Sequence, residues 1–369
     1  GIALGLSHVC RVVAYCEKKA SSRAVLEHQM QRGTLETAPV YPDVKNFPVL
    51  GQRVDIVAGG FPCVDISGLG KQLGFRGRGS TLFTNLMSVV DACAPGYIFL
   101  ENVENIIQLR NVWQVVLRSI EARGYDASWG VVSAANCGAP HLRKRWFLLA
   151  KRRGLRTRPL VVKPVRKNIP PGKWNPRGWN LDSRGEPRSV DRMVPKISRT
   201  GRLRITALGN ICVPAQARLA FDILASGCLK KEGAGLSVPR LRHLPKWGVM
   251  RRGKVFAASP PVLSVPPPLD LLLVPGNTHS RNPKQTAEVI TDPLKLRRWG
   301  TPRASFGYGR DKHITGITRV LSARTKSDLP SQARFERNTR DGHQRASLNP
   351  VWVEWLCGLP KNWTRRCAD

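Results

Sequence analysis

Acidic side chains are scarce in this chain of 369 residues, where 25 Asp and Glu stand against 60 Lys and Arg. The formal charge of +35 excludes the near-neutral balance of an average soluble enzyme and points to a polyanionic partner. Long apolar runs are missing too. The most apolar late stretch, Val262 to Val274, is broken by Pro266, Pro267 and Pro268 and carries Asp270, so no membrane span is expected. Nine cysteines include no C-x-x-C pair and no Cys/His cluster at zinc-ligand spacing, which argues for reduced thiols and no metal. The start, Gly1-Ile2-Ala3-Leu4-Gly5-Leu6, has neither an initiator Met nor a basic n-region. It reads as the interior of a longer gene product rather than as a signal peptide.

What is present is enough apolar material, 41% of residues, for at least one sizeable core. Between Arg11 and Phe147, short apolar runs alternate with stretches of helical periodicity. Residues 12–15, 55–58, 97–100 and 145–150 read as buried strands, and 20–31, 81–94 and 113–123 as helices. That alternation predicts an α/β sandwich on a mainly parallel sheet. Charge divides unevenly: residues 1–150 hold 16 basic and 11 acidic side chains, and residues 151–369 hold 44 and 14. The expected organisation is a catalytic core over 1–150, an irregular basic segment over 151–203, and a segment with a helix at 214–225 over 204–225. A Pro/Gly-rich linker over 226–297 and a basic tail over 298–369 complete it.

Chemistry concentrates at three places. Asp55-Ile56-Val57-Ala58-Gly59-Gly60-Phe61-Pro62-Cys63 is a strand running into a loop, which delivers a thiol to the carboxyl edge of a sheet, where ligands of such folds bind. A lone cysteine is more commonly a small buried hydrophobe. Phe99-Leu100-Glu101-Asn102-Val103 ends a second strand with a carboxylate, and neighbouring strands would turn Glu101 and Cys63 toward one pocket. In Gly138-Ala139-Pro140-His141-Leu142-Arg143-Lys144-Arg145, an extended backbone would put Arg143 and Arg145 on one side, two guanidinium forks facing phosphate or a base carbonyl.

These stretches, in this order, resemble blocks of the DNA (cytosine-5)-methyltransferases, most closely the phage and prophage members. Pro62-Cys63 in Gly-Phe-Pro-Cys-x-Asp-Ile-Ser is similar to the fourth block, Gly74 to Phe83 to the fifth, Glu101-Asn102-Val103 to the sixth, and Arg143-x-Arg145 to the eighth. Ala207 to Pro214 resembles the tenth. The first block is missing, with Gly1 to Leu6 similar only to its last glycine and the helix after it. Loss of that central strand predicts poor cofactor binding and a tendency to aggregate.

The resemblance implies an S-adenosyl-L-methionine-dependent, Rossmann-like fold acting on double-stranded DNA. Cytosine C5 is a poor nucleophile, so a thiolate must first add at C6, a role for Cys63. Glu101, with a raised pKa, would serve N3, and Arg145, supported by Arg143, would sit near O2. The target base must be flipped out of the duplex. Glu17, Asp43, Pro62 and Asn210 match cofactor-site positions, and Ser67, Arg76 and Arg78 match DNA-side positions. DNA recognition is expected to be divided between 151–203 and the tail, whose late Trp352 and Trp355 could equally be core. The resemblance further implies a monomer in the cytoplasm of a bacterial host, near the nucleoid, with a restriction endonuclease as possible partner. Two other readings stay open: an inactive DNA-binding remnant, and a different thiol enzyme on a similar sheet.

Overall fold

A computed structural model describes residues 1–48, 50–62, 82–139, 141–155, 193–194, 197–260 and 347–365. The chain forms two compact units, one of Gly1–Ser133, Lys144–Lys167 and Cys212–Ser264, the other of Ala134–Arg143, Asn168–Ile211 and Val265–Asp369.

In chain order the first unit opens with α1 (Ile2–Leu6), β1 (Tyr15–Cys16), α2 (Ala20–Gln31), β2 (Val40–Tyr41) and β3 (Ile56–Gly60). It continues through α3 (Leu82–Cys93), β4 (Tyr97–Val103), α4 (Arg110–Ala122), β5 (Tyr125–Val132) and β6 (Arg145–Arg152). In the second unit β7 (Met193–Val194) and α5 (Arg199–Asn210) follow. The chain then returns to the first unit with α6 (Pro214–Ala225), β8 (Lys230–Ser237), β9 (Gly248–Arg251) and β10 (Lys254–Ser259). β11 (Ser347–Leu348) and α7 (Pro350–Leu356) belong to the second.

Seven strands pair in the order β3-β4-β6-β5-β9-β10-β8, and β1 and β2 form a separate parallel pair. The expected mainly parallel sheet is therefore mixed. β3 and β4 are parallel, joined across a helical crossover, but β6 inserts antiparallel between β4 and β5. β3, β4 and β5 still run in one direction, which keeps the ends of β3 and β4 together at one edge. Alternation splits the core. Ile98 and Leu100 of β4, with Leu148 and Ala150 of β6, face a cluster containing Met87 of α3 and Val116, Leu117 and Ile120 of α4. Phe99 and Phe147 stack on the other face and meet Phe221 of α6, whose ring lies edge-on to Phe99 at 5.4 Å. α4 earns its place by spacing: Val112, Trp113, Val116, Leu117 and Ile120 make one buried stripe.

The linker expected from residue 226 is corrected over 230–259, which forms three strands that extend the sheet. β9 and β10 are joined by Arg252-Gly253, both at positive φ (48° and 73°), as tight two-residue hairpins require. β8 is an edge strand exposed along most of its length, so its Lys-Lys-Glu-Gly-Ala-Gly sequence carries little apolar signal. Residues 261–297 lie outside the described residues.

In the second unit α5 is capped by Ser198, whose hydroxyl accepts from the Gly201 amide at 3.0 Å, and α7 by Asn349, which accepts from Val351. The tail's described tryptophans divide, Trp355 being only half-buried. Trp352 is fully buried and Trp363 nearly so, and α7 packs on α5. A buried ion pair ties the two helices: the Arg204 guanidinium donates to Glu354 Oε1 at 2.9 Å, and the Thr364 amide donates to the same oxygen at 2.7 Å. The basic stretches 156–192 and 298–346, expected to meet DNA, lie outside the described residues.

Candidate active site

At the common edge of β3 and β4, the parallel register sets Gly60 beside Glu101. The antiparallel register sets Arg145, first residue of β6, beside Val103. Arg145 Nε donates to Glu101 Oε1 at 2.9 Å, and the two side chains are 11% and 12% exposed. The two opposite charges are held together in a place largely shielded from solvent. Release of the Glu101 carboxyl toward a bound base therefore goes with Arg145 turning to another acceptor. Lys144 Nζ lies 3.7 Å from Glu104 Oε1 just outside, in a more exposed pair.

Asn102 is buried, and its amide nitrogen donates to the Phe61 carbonyl at 2.7 Å. Phe61 is itself fixed by its ring, 5.0 Å from that of Phe83. The chain leaving β3 is thus held by one side-chain hydrogen bond and one aromatic contact immediately before exposed Pro62. Cys63, the expected nucleophile, lies outside the described residues, as do Ser67, Arg76 and Arg78. Gly60 has a reason to lack a side chain: a Cβ there would stand 3.0 Å from Glu101 Oε2. Asn102 and Gly60 as positioning groups were missed by sequence reasoning. The Gly-Gly doublet signalled a strand end without revealing whose carboxylate needs the space.

Arg143 departs from expectation. It is fully buried in the second unit, with positive φ (26°), and donates to the backbone carbonyls of Gly209 (2.9 Å) and Ile211. The segment is therefore not extended at Arg143, and its guanidinium is taken up by carbonyls released at the end of α5 instead of facing phosphate. His141 is pinned similarly, its Nε2 2.6 Å from the Leu356 carbonyl. Asn210 is the exposed last residue of α5, also in the second unit.

Glu17 and Asp43 do come together. The Glu17 amide donates to the Tyr41 carbonyl at 3.0 Å, extending the β1–β2 pairing, so both carboxylates follow the carboxyl ends of adjacent parallel strands. Each is half-buried; Glu17 accepts from the Lys19 amide (2.9 Å), and Asp43 accepts from the Lys45 amide with one oxygen (3.0 Å) while its other oxygen lies 4.0 Å from Lys18 Nζ. Neighbouring acceptors of this kind suit the hydroxyls and amine of a nucleoside. Among the described residues, no cluster of His, Cys, Asp and Glu could hold a metal ion, and no helix is long and apolar enough to cross a membrane.

The family model of the C-5 cytosine-specific DNA methylases matches residues 1–186, half of the chain. The chain belongs to this family. As a C-5 cytosine-specific DNA methylase it is similar to the type II methyltransferase M.CviJI of Paramecium bursaria Chlorella virus IL3A. The two are 25% identical over 98% of this chain and 94% of that protein. It is also similar to M.Sau3AI of Staphylococcus aureus, at 23% identity over 85% of this chain and 71% of that one. A solved prophage-encoded putative DNA modification methyltransferase from E. coli aligns with 41% of this methylase and 43% of its own chain, at 19% identity and a TM-score of 0.32. The family assignment places methyl transfer to cytosine in DNA as the reaction and DNA as the substrate.

Proposed function

We propose that this methylase takes a methyl group from S-adenosyl-L-methionine to C5 of a cytosine flipped out of double-stranded DNA, through a transient bond between Cys63 and C6. The observation that supports this most is the shielded Glu101–Arg145 pair beside the pinned end of β3, one residue short of Pro62-Cys63. Thiolate addition at C6 pushes negative charge toward N3 and O2. Arg145 is suited to turn from Glu101 to the O2 carbonyl, and the released Glu101 carboxylate then takes a proton from solvent and passes it to N3. The paired electrons at C5 become the nucleophile. Loss of the C5 proton to water, departure of the thiolate and return of the N3 proton to Glu101 restore the aromatic ring and the free enzyme.

Glu17 would hold the ribose hydroxyls of the cofactor and Asp43 its adenine amine, with Pro62 and Asn210 as the further contacts that family likeness suggests. When bound, the cofactor supplies the electrophilic methyl group. Ser67, Arg76 and Arg78 would face the DNA. The type II relatives make a partnering restriction endonuclease part of this reading.

Two measurements test it. Bisulfite sequencing of DNA from cells expressing the gene should reveal methylated cytosines in one sequence context. DNA containing 5-fluorocytosine should trap a covalent adduct with the parent protein and none with Cys63→Ser, whose hydroxyl is a far poorer nucleophile. An adduct in that variant would remove Cys63 from the mechanism.

A further inference from the structure

The strands that end in Glu101 and Arg145 have an opposite end, and a second concentration of charge is built there. Arg145 opens β6 and Arg152 closes it, seven residues away, which at about 3.3 Å per residue is roughly 23 Å. Around that far end lies a cavity of about 560 Å³, lined by Lys151, Arg152, Arg153, Arg251, Arg252 and Asp126 among others. The sheet brings them together. Lys151 pairs in register with Asp126 of β5, Arg251 ends β9, and Arg252 follows in the hairpin turn.

Five cations share this cavity with one carboxylate, and none of the five is in an ion pair among the described residues. Backbone carbonyls orient them instead. Arg152 donates twice to the Pro95 carbonyl (3.2 and 2.9 Å), Arg153 to that of Glu121 (2.9 Å), and Arg251 to those of Ala127 (3.3 Å) and Met250 (3.1 Å). Asp126 accepts from the Arg252 backbone amide at 2.9 Å. Burial pulls the pKa of Arg251 below its ordinary value, with Asp126 acting the other way. Guanidinium groups fixed by neutral acceptors keep their charge, which the one carboxylate of Asp126 offsets only in part. Planar forks of this kind match phosphate oxygens. The volume falls in the range of small-molecule sites, about 300–1,000 Å³.

We propose that this cavity is a phosphate-binding site separate from the catalytic edge, taking either the backbone phosphates of a second nucleic-acid segment or those of a free oligophosphate. A duplex engaged at the Glu101 end would have to pass the length of the sheet to reach it, so the two ends can be filled independently.

The test is calorimetric titration of the full chain with inorganic tripolyphosphate and, separately, with a short DNA duplex. The parent is compared with Lys151→Gln/Arg252→Gln and with a control of equal charge loss, Arg242→Gln/Lys246→Gln. Lys151 and Arg252 are exposed and lie outside the proposed catalytic machinery, so methylation at saturating DNA should be unchanged in both variants. Tripolyphosphate affinity should fall about tenfold or more in the cavity variant, as expected when charge-assisted hydrogen bonds are lost, and less than twofold or so in the control. If the duplex also loses a second binding step only in the cavity variant, the natural phosphates are those of nucleic acid. If only tripolyphosphate is affected, they are those of a free oligophosphate. Equal affinities of parent and cavity variant for both probes, or equal losses in the two variants, would overturn the site.

Discussion

The carboxylate of Glu101 is placed by the groups around it, and three substitutions test that placement. Arg145 holds one oxygen, the missing Cβ of Gly60 leaves room for the other, and β4 fixes the backbone. Glu101→Gln keeps the shape but neither the charge nor the proton, so methyl transfer should fall by about two to four orders of magnitude with the melting temperature nearly unchanged. Activity equal to the parent would remove Glu101 from its role. Gly60→Ala would press a methyl group on Oε2 and displace the carboxylate from Arg145 while the β3–β4 ladder stays intact. Turnover should drop in the parent background and drop no further in Glu101→Gln, since the two changes act on one group. Additive losses in that double-mutant cycle would mean that Gly60 matters for something other than Glu101. Asn102 works one step back, through the Phe61 carbonyl, so Asn102→Ala should lower turnover and leave a buried acceptor short of a partner, costing about 1–3 kcal/mol in a urea melt.

Among the elements, stability and legibility follow burial. Glu354 is fully buried, and its charge is balanced by Arg204, so Arg204→Met should destabilise the α5–α7 packing by about 3–5 kcal/mol by stranding the carboxylate. The double change Arg204→Met/Glu354→Leu should recover much of that loss in denaturant unfolding, whereas a double variant no better than the single would show that the pair is not the linking interaction. The same distinction explains what the sequence could reveal. Helices 20–31 and 214–225 are readable to the residue because their apolar spacing is local. β4 and β6 are readable because they are buried on both faces. β8 to β10 are not, because an exposed edge strand and an Arg-Gly hairpin carry neither alternation nor an Asn-Gly signal. In the site, Glu101 and Arg145 could be named from pattern, but their pairing depends on β6 inserting beside β4, a non-local choice. Arg143 was misplaced for a related reason. Two positions from Arg145 it would share a face in a strand, but positive φ breaks that alternation and gives its guanidinium to the end of α5.

At the scale of the molecule, charge is the dominant property. The 44 basic and 14 acidic residues of 151–369 concentrate the excess away from the near-balanced first 150 residues. Each phosphate neutralised by such a surface releases condensed counterions, so the logarithm of affinity should fall linearly with the logarithm of salt, with a slope of about −0.9 per contact on duplex DNA. Substituting Gln for pairs of Lys or Arg within 156–192 or 298–346 should flatten that slope, by about one unit for each contacting residue lost, and weaken binding equally on target and non-target duplexes. Similar neutralisation at Arg32 and Arg118, in the balanced part of the chain, should leave it unchanged. Anisotropy titrations between low and physiological salt decide the matter. A slope insensitive to the first set, or equally sensitive to both, would mean that the basic excess serves something other than the DNA backbone. A slope that flattens only with the first set would assign non-specific affinity to those stretches and leave the Glu101 edge to act on the base, a division in which losing the surface weakens binding while losing Glu101 slows the chemistry.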